Sequence, residues 1–294
     1  MTKILTHVHL YYTAMWPEIK TRLKNIGADY DLFVTLTAEN ESLRHDILTF
    51  KPDADVAVVA NRGFDVAPFI DILNRVDLDD YDYIIKLHTK RDMPVGTIRN
   101  GFDVSGNKWR EYLYSFLQSD EVFEKVLKSF KADAKLGMIA DYRLIIKNEK
   151  KNRNVVEKAY EILNAHGIKA DAPLSYVMGT MFMARAQLFK FLKRLSLTGT
   201  DFAVGERGAD PLPYAMECVF GYLVGAQGMQ IKDPLHTKAY QIISRVCSVI
   251  GHFLYRKKVG YDGKTIVKIC KIPVFVSKNK GRQNALDRFY GRKD

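Results

Sequence analysis

The stretch Val56-Ala57-Val58-Val59-Ala60-Asn61-Arg62-Gly63-Phe64-Asp65-Val66-Ala67-Pro68-Phe69 (residues 56–69) decides how this chain folds. Its apolar, β-branched opening predicts a short strand over Asp55–Ala60. Gly63 then allows a tight turn and close backbone approach, and Phe69–Val76 carries helical periodicity. Strand, turn and helix in that order make half of a βαβ unit. The pattern repeats outward. Leu5–Tyr11, Tyr30–Thr37 and Asp82–His88 read as strands. Trp16–Asn25, which opens on Pro17, and Glu39–Phe50 read as helices. Such alternation predicts an α/β chain with a mostly parallel, Rossmann-type sheet flanked by helices. Further on, Leu136–Ala140 and Val177–Ala184 have strand character, while Trp109–Phe130, Gln187–Leu195 and Pro213–Val224 are helical. The charged stretch Asn148–Lys158 reads as a solvated loop or helix face.

Ligands of a doubly wound sheet bind beyond the carboxyl ends of its strands, so the loops after Ala60 and Leu87 carry the chemistry. In the first, Arg62 offers a fixed fork of donors to a diphosphate, and Asp65 can accept from a base or a ribose hydroxyl. The plain alternative is a turn in which Asp65 caps the next helix and Arg62 makes a surface ion pair. In the second, Lys86-Leu87-His88-Thr89-Lys90, alternation puts Lys86, His88 and Lys90 on one side of the extended strand. Three converging cations repel unless an anion joins them, and a nucleotide diphosphate is the natural candidate. Against that stands a solvated basic strand end.

Composition sets the bounds. The 294 residues are 47% hydrophobic and 27% charged, an ordinary globular balance that excludes general disorder. Three cysteines without CxxC spacing suggest neither a disulfide framework nor a zinc site, and fit a reducing compartment. The amino-terminal residues do not read as a signal peptide, and no apolar run has the length of a membrane span. The expectation is therefore a cytoplasmic protein. The net charge of +11 is concentrated in the tail, where 13 Lys or Arg from Arg245 onward face only Asp262, Asp287 and Asp294. Such a tail suggests contact with an anionic surface.

These segments resemble the rhamnan synthesis protein F family. The resemblance is carried by the two loops together with His9-Leu10-Tyr11-Tyr12, Asp31-Leu32-Phe33-Val34-Thr35, Trp109-Arg110 and Leu136-Gly137-Met138-Ile139. It continues through Gly179-Thr180-Met181-Phe182-Met183-Ala184-Arg185 and Glu217-Cys218-Val219-Phe220-Gly221-Tyr222, in order over residues 1–240. It implies a GT-A-like glycosyltransferase domain over 1–240, with 241–294 as a basic helix-and-hairpin extension. It further implies transfer of a sugar, foremost L-rhamnose, from a nucleotide-diphosphate donor (dTDP-rhamnose or a UDP-sugar) to a growing cell-wall polysaccharide, O-antigen or capsule. Inversion at a carboxylate general base is the expected course. A non-catalytic nucleotide-sugar or glycan-binding module, or a transferase for another hexose, are the alternatives.

By that resemblance Asn61, Arg62, Gly63 and Asp65 contact the nucleotide, and His236 helps hold the diphosphate. His9, Tyr11, Trp109, Arg110, Gly179 and Thr180 are the implied sugar or acceptor contacts. The base is a carboxylate at the start of a late helix, for which Asp210 and Glu217 compete. Asp210 has the position, and Glu217 would organise the site. The chain departs from most GT-A enzymes where Lys86-Leu87-His88-Thr89-Lys90 stands in place of an Asp-x-Asp metal motif. No metal ligand and no tightly bound cofactor are assigned, although a divalent metal stays open. The acceptor is expected to be a polymeric or lipid-linked glycan. The amphipathic stretch Gln241–Lys258 reads either as a membrane-surface element on the inner face of the cell membrane or as a packed helix followed by a hairpin at Asp262-Gly263. Nucleic acid is not an expected partner, because the basic residues are not interleaved with an aromatic platform.

Overall fold

Seven strands join one sheet in the computed structural model, which describes residues 2–92, 98–104, 106–147, 153–169, 174–204, 211–259 and 264–278. The chain forms two compact units, one of residues 1–90 and 113–235, the other of residues 91–112 and 236–294. Sequence had set one boundary at 240. The second unit also takes in 91–112, because Ser248 Oγ donates to Gly101 O at 2.5 Å and Arg245 lies over the Phe102 ring.

The first unit runs β1 (Lys3–Leu10), α1 (Trp16–Leu23), β2 (Asp29–Leu36), α2 (Glu41–Phe50), β3 (Asp55–Val58), α3 (Val66–Arg75) and β4 (Tyr83–His88). It continues with α4 (Asp120–Ala132), β5 (Leu136–Ile139), α5 (Arg153–Ala165), β6 (Phe182–Arg185), α6 (Leu212–Ala226) and β7 (Gln230–Lys232). The sheet order is β7-β5-β6-β4-β1-β2-β3. Every neighbouring pair is parallel except those of β6, which runs antiparallel to both β4 and β5. The expected mostly parallel α/β sheet is thus present, and its topological switch point lies between β1 and β4.

Local chemistry sets the element ends. α2 starts at Glu41 because the Asn40 side chain accepts from Leu43 N. α3 starts at Val66, ahead of the expected Phe69, because Pro68 is tolerated in a first turn and Gly63 O accepts from Val66 N. The expected helical stretch 109–130 breaks near 115–119, where Ser119 caps α4 through Val122 N. The expected strand Val177–Ala184 divides, since Gly179 and Thr180 adopt φ of 88° and 52° and turn the chain between Ser175–Val177 and β6. Of the charged stretch Asn148–Lys158, Asn148–Asn152 lie outside the described residues and the remainder begins α5.

In the second unit, α7 (Lys238–Leu254) leads into β8 (Tyr255–Val259), which pairs with β9 (Lys264–Ile269), itself paired with β10 (Ile272–Lys278). The helix therefore stops four residues short of Lys258, and the Asp262-Gly263 turn lies outside the described residues. No helix among the described residues is long and apolar enough to cross a membrane.

The core of the first unit centres on Phe69 of α3. Its ring meets Phe220 at 5.5 Å, Phe189 at 5.7 Å and Phe182 at 6.2 Å, all edge-on, with Phe69 itself fully buried. Phe69→Ala should lower unfolding stability by about 3–5 kcal/mol. A urea midpoint unchanged by that substitution would show that the aromatic cluster is not the keystone of the core.

Candidate active site

Strand register brings the polar groups together. His7 of β1 pairs with Lys86 of β4, and His9 pairs with both His88 of β4 and Thr35 of β2. Partners in register share a face, so these five side chains line one side of the sheet at its switch point. All five are buried.

At the centre is an ion pair between a wholly buried Lys86 and a half-buried Asp65. Lys86, wholly buried, donates to the Asp65 carboxylate, to Thr180 O at 3.2 Å and to Thr180 Oγ1 at 3.2 Å. Three acceptors match the three protons of an ammonium group. The Thr180 hydroxyl in turn donates to Asp65. Burial pushes the Asp65 pKa up, but the charges of His88 and Lys86 and the hydrogen bonds from Lys86 and Thr180 outweigh it, holding Asp65 well below the carboxylate range. Burial pulls Lys86 below an ordinary lysine, against the opposing pull of Asp65. Its Nζ also sits 5.4 Å from the Phe69 ring centroid.

The histidines differ. One hydroxyl, Thr35 Oγ1, lies 3.0 Å from both His7 Nε2 and His9 Nδ1. A single hydroxyl hydrogen serves one ring, so the other ring must donate. Burial drives the His7 pKa well down, helped by the Lys86 charge, and drives His9 to about 4 even against Asp65. Both are neutral at physiological pH. His88 faces two carbonyls, Thr89 O at 3.0 Å and Gly179 O at 2.8 Å. Two carbonyls favour an imidazolium with two donors. Burial resists that charge and lowers the pKa, while Asp65, 3.9 Å away, supports it. His88 is thus the ring at this edge on which burial and hydrogen bonding pull in opposite directions.

Two turns hold the cluster. Gly63 has φ 54°, and a Cβ there would lie 2.6 Å from Phe202 Cδ1 and 2.8 Å from Ala67 Cβ. The Gly179-Thr180 turn presents Gly179 N to Glu217 Oε1 at 2.8 Å, joining the middle of α6 to the site. A threonine at positive φ is strained, and such strain concentrates at functional sites.

The family model for rhamnan synthesis protein F matches residues 1–229. The chain belongs to the rhamnan synthesis protein F family. It is also 26% identical over 180 residues to proteins described as "Uncharacterized protein WxcX" from two strains of Xanthomonas campestris pv. campestris, B100 and ATCC 33913. Those matches cover 60% of this chain and 25% of each relative, so the chain spans at most about two fifths of their length. Rhamnan synthesis F membership ties the chain to polysaccharide synthesis.

The expected residues fall in distinct places. Asp65, Lys86, His88, His9, Gly179, Thr180 and Glu217 converge in the cluster. Lys86 and Asp65, expected to face a diphosphate and a nucleotide, face each other instead, because a wholly buried ammonium needs a carboxylate. Asp65 also makes no side-chain cap on α3, which removes the plain alternative for it. Glu217 has the backbone-amide partner that an acid in so apolar a helix requires. Asn61 is exposed and Arg62 half-buried, with Arg62 Nη1 donating to Phe202 O at 3.4 Å. Lys90 is half-buried just past β4, and its charge reaches His88. Tyr11 is exposed and packs edge-on against Tyr12. Trp109, Arg110 and His236 belong to the second unit, where Arg110 pairs with Asp92 and His236 stacks on Tyr240 at 5.1 Å. Asp210 lies outside the described residues.

Sequence reasoning missed Thr35, whose bridging position only strand register reveals. It also missed Asp141 and Asp233, which follow the parallel neighbours β5 and β7 and hold carboxylate oxygens within 4.8 Å of each other. Each accepts from backbone N–H groups, Asp141 from Arg143 and Asp233 from Tyr142 and Leu235. This pair could contribute to holding a divalent cation in competition with the Asp141–Arg143 ion pair at 2.8 Å, and an Asp just past each strand was the available signal.

Removing the ammonium strands a buried carboxylate, so Lys86→Met should cost about 3–5 kcal/mol, and adding Asp65→Asn should recover part of it. Denaturation of the single and double variants checks this, and equal losses in both would contradict the pairing. Acid should act in two windows. A histidine held neutral binds its proton more weakly folded than unfolded, so its contribution fades as pH falls from 6.5 toward 4, by about 3 kcal/mol for His9. Asp65, with a depressed pKa, keeps its contribution until pH falls below about 4. Stability measured against pH should therefore decline from pH 6.5 downward, and less steeply in His9→Asn. A flat profile above pH 4 would refute the buried neutral ring.

Proposed function

We propose that this domain is a glycosyltransferase that binds a nucleoside-diphosphate sugar across the carboxyl edge of β1, β3 and β4 and passes L-rhamnose to a growing cell-surface polysaccharide. The observation that carries this reading is the ionisable cluster at the switch point of the sheet, gripped by the Gly63 and Gly179-Thr180 turns. Crevices at such switch points are where doubly wound sheets bind nucleotides. Membership of a polysaccharide-synthesis family supplies the class of reaction.

Within this reading Lys86 is a positioning residue, since its charge is matched by Asp65. The diphosphate then falls to Arg62, to Lys90 and to the amino end of α3, whose dipole favours an anion. Asp141 and Asp233 are the carboxylates for a divalent cation, should transfer need one to neutralise the leaving group. In the chemical step the acceptor oxygen bonds to the anomeric carbon and the carbon–oxygen bond to the diphosphate breaks. The acceptor's proton passes to a carboxylate, and the nucleoside diphosphate departs. Asp210, ahead of α6, takes that proton, while Glu217 holds the Gly179 turn in place. Family resemblance and position support this assignment.

Thermal unfolding with a panel of nucleoside-diphosphate sugars, with and without magnesium or manganese, tests the reading. A donor that binds only the folded chain raises the midpoint, and dTDP-rhamnose should raise it more than UDP-hexoses do. Arg62→Ala should reduce that shift. Asp210→Asn should keep the shift and slow transfer by about 10²–10⁴-fold. No shift with any donor sinks the proposal, binding without turnover makes the chain a sugar-nucleotide-binding module, and a larger shift with another hexose donor reassigns the sugar.

A further inference from the structure

We propose that the second unit is a docking surface for an anionic lipid bilayer, made by α7 and the β9–β10 hairpin. α7 is turned inside out. Its half-buried residues are Gln241, Ser244, Arg245, Ser248 and His252, and they make its contacts within the unit: Gln241 to His236 O, Ser248 to Gly101 O and Arg245 over Phe102. Its apolar stripe of Ile242, Val246, Val249, Ile250 and Phe253 is exposed, each residue between 46% and 64%. The spacing of these positions puts them on one helical face.

The hairpin extends that face. Cys270 and Lys271 form its turn at φ of 47° and 67°, with Ile269 and Ile272 beside it, 48% and 65% exposed. Cys270 N donates to Leu254 O at 3.0 Å, and Lys271 Nζ stands 5.3 Å from the Phe253 ring centroid. These contacts make the helix stripe and the hairpin turn one continuous apolar surface. Val274, Phe275 and Val276 of β10 are more than half exposed as well. Soluble chains rarely leave so large an apolar surface open unless something covers it.

Charge selects the occupant. From Lys238 to Lys278 there are nine Lys or Arg and one acidic residue, Asp262. A second copy of the chain would bring like charges together. Anionic headgroups would neutralise them while the stripe enters the acyl boundary, the arrangement of interfacial amphipathic helices. Lys271, with its ammonium over the Phe253 ring, places a cation directly on this apolar surface.

The test is co-sedimentation of the full chain with vesicles of phosphatidylcholine alone and of phosphatidylcholine with phosphatidylglycerol. We expect binding at least about tenfold tighter to the anionic vesicles, weakening as salt rises. Val246→Glu with Ile250→Glu should abolish it, while circular dichroism and the unfolding midpoint stay unchanged, since both positions are exposed. Absence of binding, equal binding to both vesicle types, or binding untouched by the double variant would overturn the proposal. So would a lipid-free dimer in light scattering that the same variant dissociates, which would make the face a self-association surface.

Discussion

The buried pairing of Lys86 with Asp65 is the constraint around which the first unit is arranged. It ties together three segments far apart in the chain: the turn after β3, the strand β4 and the turn before β6, which adds Thr180. A buried ion pair is seldom a net gain in stability, because desolvating both charges consumes most of their attraction. Its effect here is geometric. Asp65 turns inward from the amino end of α3, and that requires the left-handed backbone at Gly63 where Phe202 leaves no room for a side chain. Thr180 takes positive φ to meet the same carboxylate. Two strained turns and one charge pair thus fix the edge of the sheet.

The same pair organises the protonation of its neighbours. Burial, with the Lys86 charge adding to it, keeps His7 and His9 neutral and bridged by Thr35. Asp65 works in the opposite sense on His88, whose two carbonyl contacts favour the charged ring. The edge therefore holds one fixed ion pair, two neutral rings and a third ring, His88, on which burial and hydrogen bonding pull in opposite directions. Such an edge carries little net positive charge of its own. Under the proposed function an incoming diphosphate would be met by the groups nearer the solvent, Arg62 and Lys90, and not by Lys86, which alternation had grouped with His88 and Lys90.

Much of this was legible in the residues. Strand and helix alternation gave a mostly parallel sheet from β1 to β4 because those strands are short, apolar and punctuated by turns. The antiparallel entry of β6 was not legible: Gly179-Thr180 breaks the Val177–Ala184 run through backbone dihedrals, and periodicity is blind to them. The cluster members His9, His88 and Glu217 could be picked out by type and position. Their partners could not, since Lys86 meets Asp65 across 21 residues and Asp65 meets Thr180 across 115. Alternation says which side of a strand a lysine leaves from, but only packing says whether water or a carboxylate receives it. In α7 the helical stripe was equally readable, and what sequence hid was that its polar side is the one turned inward.

The two units depart from ordinary burial in opposite directions, and each departure is costly on its own. The first places an ammonium, a half-buried carboxylate and three buried imidazoles at one sheet edge, and engages them through Thr180, Thr35 and backbone carbonyls as well as each other. The second leaves isoleucine, valine and phenylalanine in water along a helix whose polar side chains face inward. Departures from the expected pattern that lack a folding advantage concentrate where a chain acts on something else. In the first unit the cost is offset internally, because the Lys86 ammonium is matched by the Asp65 carboxylate. Among the described residues of the second unit nothing offsets the exposed stripe, and the unit's surplus of lysine and arginine adds self-repulsion. A surface that is both apolar and cationic finds its complement where hydrocarbon and anionic groups meet, and a bilayer surface presents the two together.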